Sequence, residues 1–588
     1  MKKILSLALA LCLLLTLSAA AFADDGVFAG EGKGHGEEPI RVEITVKDGA
    51  VTDVAIVSHS ETPGISDPAL ERIPQAIVGA QSADVDTVAS ATESSNGIIA
   101  AVKAACEAAG LTLEGKAEEA PAGEKAQTEE TTDVLVIGGG IAGFTAALSA
   151  RENGAEVIVI DKSAAVGGTT NLAGGLLVSL GSELFKDSRL ESDNMESLLA
   201  YWHVRQAESG IESGYPDWER LENVLADTGK TVDWLVANDV EFSATPYAAS
   251  SAYPMAEANG AGAGLIQMLL ASAKARGITV LTETKGIALV TDESGAVVGA
   301  KAETADADIT FNAKVVILCT GGISQNEELV AKYSPKLHRA GLIPTSAASH
   351  TGEGFLMALE AGAGTFDVFA TPLFGTMVDP QLAALTDTSA LAIFSQLGVN
   401  ANGDRFADES AAAGWDVYDR TASDMIQDGN APFWYIFDSS DEAAVAQLEA
   451  GVQSGIVAKG DTVAELALGM HVYTDNLEKA CADYAAAVAA GEDTAFGKPA
   501  AFLKPLDKAP FYAVRVYPTT FGSAGGVTTT EDGRVTRQDG TVIPGLYAAG
   551  EMSNRYFYNE NYVLAASLGL YSTMGRRAGA AAAADIAK

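Results

Sequence analysis

The chain has 588 residues, of which 48% are hydrophobic, and carries 38 Lys and Arg against 78 Asp and Glu, a formal net charge of −40. This length and hydrophobic content predict roughly two to four domains with substantial cores. The acidic balance argues against nucleic acid and anionic membranes as electrostatic partners, and it favours solubility.

The cysteines and histidines indicate neither a metal site nor a disulfide framework. Cys12 lies in the N-terminal apolar segment, whereas Cys106, Cys319 and Cys481 are widely spaced. The sequence contains no CxxC pair, CxxCH haem site, HExxH zinc motif or GxSxG hydrolase motif. We therefore expect no haem, no iron–sulfur cluster and no catalytic metal.

The first predicted element is an export signal. MKKILSLALALCLLLTLSAAAFA combines two lysines, an apolar run and an AFA ending, which is typical of a secretory signal peptide cut after Ala23. The run is short for a membrane anchor, and Leu11 before Cys12 fits poorly the small residue that a lipoprotein site requires. Both alternatives stay open, but we expect residues 1–23 to be removed and the mature protein to be secreted or cell-surface associated.

Residues 24–112 are predicted to form a small α+β domain. IRVEITVKDGAVTDVAIVSHS alternates apolar and polar residues around Asp-Gly, which predicts a β-hairpin. Further on, DTVASAT (86–92) runs into the helical segment ESSNGIIAAVKAACEAAG. Over 30–110, these segments and ETPG (61–64) resemble the FMN-binding domain of flavin-linked reductases.

That resemblance implies a covalently attached FMN. In the family, a motif that begins with Asp is recognised by a flavin transferase, which joins FMN through its phosphate to the final hydroxyl. The matching residues are Asp86 and Thr92, while Ala89 and Ser90 replace the usual serine and glycine. A helix start favours a phosphate, because its first N–H groups lack partners. The alternative is that Thr92 only caps the helix.

An acidic linker is predicted over 113–131, where aromatic and branched apolar residues are absent after Leu113. The large domain then opens with DVLVIGGGIAGFTAALSARENGAEVIVIDK, whose pattern predicts a strand, a glycine turn, a helix and a second strand.

Four residues of this βαβ unit carry a dinucleotide-binding pattern. Gly138, Gly140 and Gly143 follow the first strand, and Asp161 ends the second. In such a site, the glycines permit a tight turn, approach of the pyrophosphate and close helix–strand packing, and the acid accepts hydrogen bonds from the ribose. An ordinary βαβ turn is the alternative.

Three more glycine segments follow: GGTTNLAGG (167–175), VVILCTGG (315–322) and IPGLYAAGE (543–551). With the βαβ unit they resemble, over about 130–588, the flavoprotein family of fumarate reductases, aspartate oxidases and ketosteroid dehydrogenases. The resemblance implies non-covalent FAD in a Rossmann-like α/β domain made of 132–370 and 511–588, with an inserted α+β cap domain, 371–510, that closes over the substrate. The implied FAD-binding residues also include Lys162, Gly168, Thr169, Thr170, Gly174, Gly175, Gly321, Gly322, Gly550, Glu551, Ser567 and Leu568.

Most of the family's substrate-binding cations are missing here. The catalytic arginine expected after GDRFADES (403–410) falls on Ala413, and the nearest arginine is Arg420, which is alternatively a surface residue. Thr371 and Phe521 stand where the resemblance places two histidines, and Tyr562 stands near the carboxylate-binding arginine. These losses argue against fumarate and urocanate as substrates, because buried carboxylates without partners are costly.

Tyr562 followed by small residues resembles the ketosteroid dehydrogenase branch, in which a tyrosine and a backbone N–H polarise a ketone. We therefore expect an enone, aryl-acrylate or similar acceptor with an activated C=C, and proton delivery by Arg420, Tyr562 or Tyr418. His350 is the one histidine that the resemblance places near FAD, although a structural role is the alternative. The aromatic residues that suit an apolar pocket, or alternatively the cap core, are Phe406, Trp415, Tyr418, Phe521, Tyr556 and Tyr558.

The resemblance implies that electrons enter at FMN, pass to FAD and leave as a hydride, with a membrane or extracellular donor system serving anaerobic respiration. Two alternatives stay open. One is a dehydrogenase that oxidises its substrate, and the other is a non-catalytic flavin electron carrier. An intact FAD pattern and a full-length cap favour retained chemistry.

Overall fold

The computed structural model describes residues 25–88, 91–113, 125–207, 213–247, 253–370, 373–386, 388, 391, 396–410, 420–559, 561–563 and 565–587. The chain divides into two compact units, Met1–Glu124 and Lys125–Lys588. Among the described residues, no helix has both the length and the apolar character needed to span a bilayer.

The described residues of the N-terminal unit form a three-stranded antiparallel sheet in the order β1-β2-β3, and two helices. The predicted hairpin is confirmed, because β2 and β3 pair on either side of Asp48 and Gly49. Their φ values of 52° and 78° are the left-handed values that a tight two-residue turn needs. The elements are β1 (Gly26–Gly32), β2 (Ile40–Lys47), β3 (Ala50–Ser58), α1 (Asp67–Ala80) and α2 (Thr92–Ala108).

Helix α2 packs very closely on β1. A Cβ on Gly30 would lie 2.1 Å from the carbonyl oxygen of Ala101, and one on Gly32 would lie 2.1 Å from that of Gly97. These two glycines therefore allow the helix to cross the strand at main-chain distance. This approach brings the start of α2 next to the loop that follows β1.

The described residues of the large unit form an eight-stranded sheet, a six-stranded sheet and a two-stranded sheet of β6 and β7. Its strands are β4 (Ala126–Ile137), β5 (Val157–Ile160), β6 (Leu176–Val178), β7 (Met255–Glu257), β8 (Thr279–Leu281), β9 (Lys285–Thr291), β10 (Val297–Glu303), β11 (Ala307–Leu318), β12 (Ile343–Pro344), β13 (Leu373–Val378), β14 (Leu397–Val399), β15 (Phe433–Phe437), β16 (Val457–Gly460), β17 (Phe511–Thr520), β18 (Arg534–Thr536) and β19 (Val542–Ala548). Its helices are α3 (Ile141–Glu152), α4 (Met195–Ala207), α5 (Trp218–Leu225), α6 (Thr228–Ala237), α7 (Ala261–Ala275), α8 (Glu327–Tyr333), α9 (Pro335–Arg339), α10 (Glu353–Glu360), α11 (Pro380–Ala383), α12 (Arg420–Asp428), α13 (Glu442–Val452), α14 (Val463–Met470), α15 (Thr474–Ala490) and α16 (Ala566–Ile586).

The eight-stranded sheet has the order β18-β19-β11-β4-β5-β8, with β10 pairing β11 and β9. Strands β19, β11, β4, β5 and β8 run parallel, so their carboxyl ends meet at one edge. The predicted βαβ unit is confirmed as β4, α3 and β5. The central strands are buried and continuously apolar, as expected for a parallel sheet covered on both faces.

Strand β4 begins earlier than predicted. Its residues from Ala126 onward pair with β11, although 126–131 belong to the segment predicted as an acidic linker. The side chains of 126–131 are exposed, which explains the linker-like composition, whereas the pairing uses the main chain. The linker therefore ends before Ala126; residues 114–124 lie outside the described residues.

The second sheet has the order β12-β17-β15-β14, and β13 and β16 also pair with β17. Strands β12 and β17 come from beyond the predicted cap limits of 371 and 510, which stay predictions. Strand β15, Phe433–Phe437, is buried along its whole length and packs its two faces into separate apolar clusters. This sheet carries the segment predicted to cover the substrate.

Candidate active site

A cavity lies at the carboxyl ends of the parallel strands of the large unit. It is lined by the glycine turn after β4, Asp161 and Lys162 after β5, the turn 319–321 after β11 and residues 549–551 after β19. In open α/β sheets, ligands bind at this edge because the loops from several strand ends converge there.

The glycine turn fits a dinucleotide. Gly138 has a φ of 106°, which residues with a side chain rarely adopt. Gly143 in α3 lies so close that a Cβ on it would be 1.9 Å from the Gly138 carbonyl oxygen. Helix α3 starts at Ile141, directly after Gly140 in the cavity wall, so the positive end of the helix faces the cavity. A pyrophosphate is the group that such a helix start favours.

Asp161 stabilises this turn through hydrogen bonds to main-chain N–H groups. Its Oδ2 accepts a hydrogen bond from the Gly139 N–H at 2.8 Å, and its Oδ1 accepts one from the Ser163 N–H at 2.8 Å. Burial raises the pKa of Asp161 above its usual value, although these hydrogen bonds oppose the increase. The carboxylate thus fixes the turn geometry; the ribose contact stays a prediction.

Lys162 belongs to a charged cluster at the same end of the cavity. Its Nζ lies 2.8 Å from Oε1 and 2.9 Å from Oε2 of Glu353, and the Lys285 Nζ lies 3.7 Å from Oε1. Glu353 and Lys285 also line the cavity but were not predicted. Glu353 lies three residues after His350, which the family resemblance places near FAD, so a signal for this position was present in the sequence.

His350 and Glu551 form a buried pair in the cavity wall. The His350 Nε2 lies 3.0 Å from the Thr169 Oγ1, and its Nδ1 lies 3.6 Å from the Glu551 Oε2. Among the described residues, this Nδ1 has no hydrogen-bond partner. A Cβ on Gly321 would lie 2.4 Å from the His350 Nε2, and one on Gly322 would lie 2.1 Å from the Glu551 Oε1. These two glycines make room for the pair.

The cavity brings together most of the residues predicted to bind FAD. Gly143 and Gly322 pack behind the wall, and Gly175 packs against Ala261. Gly174 is exposed and has no atom within 4 Å of a Cβ position. The predicted flavin-binding and catalytic residues that line the cavity are Gly138, Gly140, Asp161, Lys162, Gly168, Thr169, Thr170, Gly321, Gly550, Glu551, Tyr562, Ser567 and Leu568.

Three tyrosines lie near Ser567 at the start of α16: Tyr558 is buried, whereas Tyr562 and Tyr571 are partly buried. The Tyr558 hydroxyl lies 3.3 Å from the Ser567 Oγ, and the Asn554 Nδ2 donates to the Tyr571 hydroxyl at 2.7 Å. Burial raises the pKa of Tyr562, Tyr558 and Tyr571, so all three are neutral phenols that can donate a hydrogen bond near pH 7. Tyr571 was not predicted, although its spacing of four from Ser567 places both on one helix face.

Cations are scarce in the described cavity lining. Among the described residues that line it, the basic ones are Lys162, Lys285 and His350. Both lysines lie beside Glu353. Residues 411–419 contain no Lys, Arg or His. Within the described part of the chain, no group of His, Cys, Asp and Glu side chains could hold a metal ion.

The predicted proton-delivery residues other than Tyr562 are not placed. Arg420 is the first residue of α12, but the structure does not describe its side chain. Ala413, Trp415, Tyr418 and Thr371 lie outside the described residues.

The GDRFADES segment is fixed by a buried ion cluster. The Arg405 guanidinium lies 2.9 Å from both carboxylate oxygens of Glu409 and 2.9 Å from the Asp493 Oδ2. The Lys498 Nζ lies 3.2 Å from the Glu409 Oε2 and donates to the Gln396 carbonyl at 2.8 Å. The cluster therefore holds the start of the segment that leads to Arg420.

The predicted aromatic pocket is divided between the cavity and the cores. Phe521 lines the cavity. Phe406 packs against Phe433 at 4.9 Å between ring centroids, and Tyr556 packs against Phe366 at 5.2 Å. Tyr558 is fully buried. Packing in the cap core, the alternative considered from the sequence, thus describes Phe406, whereas Tyr556 and Phe366 lie outside the predicted cap limits.

The N-terminal unit presents the predicted FMN motif at its surface. Thr92 is exposed and is the first residue of α2, and Asp86 is exposed in the preceding loop. The Ser95 Oγ accepts from the Val88 N–H at 3.0 Å and donates to the Ala91 carbonyl at 2.8 Å. Ala89 and Ser90 lie outside the described residues. The hydroxyl of Thr92 is thus carried by a restrained helix start, while its attachment to FMN stays a prediction.

Comparison with known proteins finds two family matches, one within each unit of the chain. Residues 133–561 match the model of the FAD binding domain family, and residues 34–107 match the FMN-binding domain. The NADH:acrylate oxidoreductase of Vibrio harveyi is 28% identical over 90% of this chain, which spans 58% of that protein's length. The urocanate reductase of Eggerthella lenta is 29% identical over 96% of this chain and 94% of its own.

A solved structure supports the fold. The open conformation of a flavocytochrome c3 fumarate reductase is similar with a TM-score of 0.56 and 26% identity, over 78% of this chain and 79% of that one. The predicted fold class and both flavin domains are confirmed. With a family match over residues 133–561 and a cavity whose glycine turn fits a dinucleotide, this chain belongs to the FAD-binding domain family and carries an additional FMN-binding domain.

Proposed function

We propose that this chain is an exported flavin reductase that passes electrons from FMN to FAD and then a hydride to the activated C=C of a small acceptor. Enones and aryl-acrylates are the acceptor classes, rather than fumarate. Relatives named for reducing acrylate and urocanate support C=C reduction. One observation carries the acceptor class: the cavity wall presents the Tyr562 phenol, and its described lining contains no arginine.

FAD, when bound in this cavity, would supply the hydride, and the Tyr562 hydroxyl would bind and polarise the acceptor. Because burial raises the pKa of Tyr562, its hydroxyl stays protonated near pH 7 and donates to the carbonyl oxygen of the acceptor. This hydrogen bond withdraws electron density from the conjugated C=C and stabilises the charge that develops on the oxygen. Arg420 and Tyr418 remain the candidates for protonating the α-carbon, together with Tyr562.

The same proposal assigns Thr92 as the attachment site of FMN. A flavin transferase uses FAD as donor: the Thr92 Oγ forms a bond to the FMN phosphorus, the pyrophosphate bond breaks, AMP leaves, and the hydroxyl proton passes to solvent. Exposure of Thr92 at a helix start supports this assignment. The N-terminal segment 1–23 supports export, and a membrane or extracellular donor would supply electrons for anaerobic respiration.

The test is anaerobic oxidation of a reduced viologen by the flavin-loaded protein, with cinnamates and neutral enones as acceptors. Tyr562→Phe should lower kcat about 100- to 1,000-fold, as removal of an oxyanion donor does, without loss of FAD. Tyr473→Phe is the matched control, because Tyr473 is 68% exposed in the segment predicted as cap. An unchanged kcat in Tyr562→Phe contradicts the assignment of Tyr562. Turnover only with an artificial oxidant and a saturated substrate would show the reverse direction.

A further inference from the structure

Glu61, at the start of the ETPG segment, is a buried carboxylate in the N-terminal unit. It is 3% exposed. Its Oε1 accepts from the Gly36 N–H at 2.9 Å, and its Oε2 accepts from the His35 N–H at 3.2 Å and from the Ser94 hydroxyl. Burying a carboxylate costs free energy unless it is hydrogen-bonded. The three hydrogen bonds that Glu61 accepts must offset this cost.

These partners come from two separate parts of the unit. His35 and Gly36 belong to the loop between β1 and β2, whereas Ser94 is in the first turn of α2, two residues after Thr92. Glu61 follows β3 and is therefore a third contributor. One side chain thus ties the β1–β2 loop to the helix start that carries the predicted FMN attachment site.

The packing leaves little room for this arrangement to shift. A Cβ on Gly34 would lie 2.4 Å from the Glu61 Oε1, and a Cβ on Gly97 would lie 2.8 Å from the Gly34 Cα. The loop, the carboxylate and the helix are therefore in direct contact. His35 and Glu93 add a second link of 2.7 Å, but their side chains are 62% and 71% exposed, and such surface pairs contribute little.

Burial raises the pKa of Glu61, but the hydrogen bonds from Ser94, Gly36 and His35 outweigh it and leave the pKa below its usual value. The carboxylate is therefore ionised near pH 7. A protonated carboxyl or an amide carries a donor on one of its two terminal atoms, and that donor would face the Gly36 N–H or the His35 N–H, so Gln cannot reproduce the set of accepted bonds. The link is specific to a carboxylate.

We propose that Glu61 is a positioning residue for flavinylation of Thr92: its carboxylate locks the first turn of α2 to the β1–β2 loop and so holds the Thr92 hydroxyl in the orientation that the transferase requires. This inference rests on the proposed attachment of FMN to Thr92. Glu61 does not touch the reacting atoms, and it acts through Ser94 on the helix start.

The test measures FMN attachment to the purified full-length chain lacking residues 1–23, given FAD, Mg²⁺ and a catalytic amount of a bacterial flavin transferase. Attached FMN is followed as fluorescence after denaturing electrophoresis and as the mass added to the chain. Glu61→Gln should lower the maximal rate about 10- to 100-fold, because a displacement near 1 Å has that effect on an oriented reaction. Ser94→Ala should lower it in the same direction.

Two controls separate this inference from the proposal on which it depends. Glu37→Gln removes one negative charge from an exposed residue of the same loop and should leave the rate unchanged. Thr92→Ala should abolish attachment; attachment that persists in this variant would refute Thr92 as the site. Loss in Thr92→Ala together with a wild-type or faster rate in Glu61→Gln would overturn the role of Glu61 alone.

A folding defect is distinguished by the kinetics. A positioning role lowers kcat at saturating chain concentration while KM changes little, and the defect persists at low temperature, where circular dichroism shows the variant to be folded. A defect that vanishes under those conditions would overturn the inference, because the rate would then follow only the folded fraction.

Discussion

Gly143→Ala is the substitution that most directly tests the dinucleotide turn. The added Cβ would lie 1.9 Å from the Gly138 carbonyl oxygen, whereas real Cβ atoms essentially never approach another heavy atom closer than 3.0 Å. The turn or the helix must therefore move by at least about 1 Å. Gly138 lines the cavity, so this movement occurs where the pyrophosphate is expected.

The magnitude follows from the cost of overpacking. Inserting a methyl group into well-packed surroundings typically costs about 1–3 kcal/mol. If that cost falls on the geometry that bound FAD requires, the FAD dissociation constant rises about 5- to 150-fold, because about 1.4 kcal/mol corresponds to a factor of ten.

The assay titrates FAD into the apoprotein and follows the flavin absorbance or the quenching of flavin fluorescence. Thr92→Ala is used as the background, so that covalent FMN does not contribute to the signal. Gly174→Ala is the matched control: this exposed glycine also belongs to the predicted set, but its Cβ would have no atom within 4 Å. Equal FAD affinities for Gly143→Ala and Gly174→Ala would refute the reasoning.

Three further predictions concern buried charges and the cavity wall. Lys498→Met should lower the free energy of unfolding of the large unit by about 3–5 kcal/mol in urea denaturation, because it leaves two buried carboxylates, Glu409 and Asp493, to share the Arg405 cation. Lys508→Met, at an exposed residue, should have little effect. The free energy of unfolding that Glu61 contributes should be fully present above its ordinary pKa near 4.5, and it should be lost as the pH falls through the lower pKa of the folded state. In unfolding measured as a function of pH, Glu61→Gln should show a smaller loss of stability in acid. Gly322→Ala should weaken FAD binding in the same titration, because its Cβ would lie 2.1 Å from the Glu551 Oε1; unchanged affinity would contradict this role of the pair.

The sequence could predict the parts of the fold that depend on local patterns. The hairpin at Asp48 and Gly49 and the βαβ unit from β4 to β5 follow from turn residues and hydrophobic periodicity, and both are confirmed. The start of β4 was missed because the exposed side chains of 126–131 have the composition of a linker, while the pairing with β11 depends on main-chain atoms from a distant segment.

The site was predictable only where a residue belongs to a contiguous motif. Glycine motifs identified much of the cavity wall, but the motif alone could not separate Gly140, which lines the cavity, from Gly174, which is exposed. The pairing of Lys162 with Glu353 joins residues 191 positions apart, so no local pattern contains it. The contacts of Glu61 are likewise set by packing between the loop, the strand end and the helix.

The most direct measurement of the central claim is the ratio of kcat/KM for a neutral aryl enone to that for fumarate, with reduced viologen as donor and the flavin-loaded wild-type protein. A site that polarises a carbonyl through Tyr562 and offers few cations should give a ratio well above one. A ratio well below one, with rapid turnover of fumarate, would contradict it, because two carboxylates would then be bound by cationic groups that the described cavity lining does not contain.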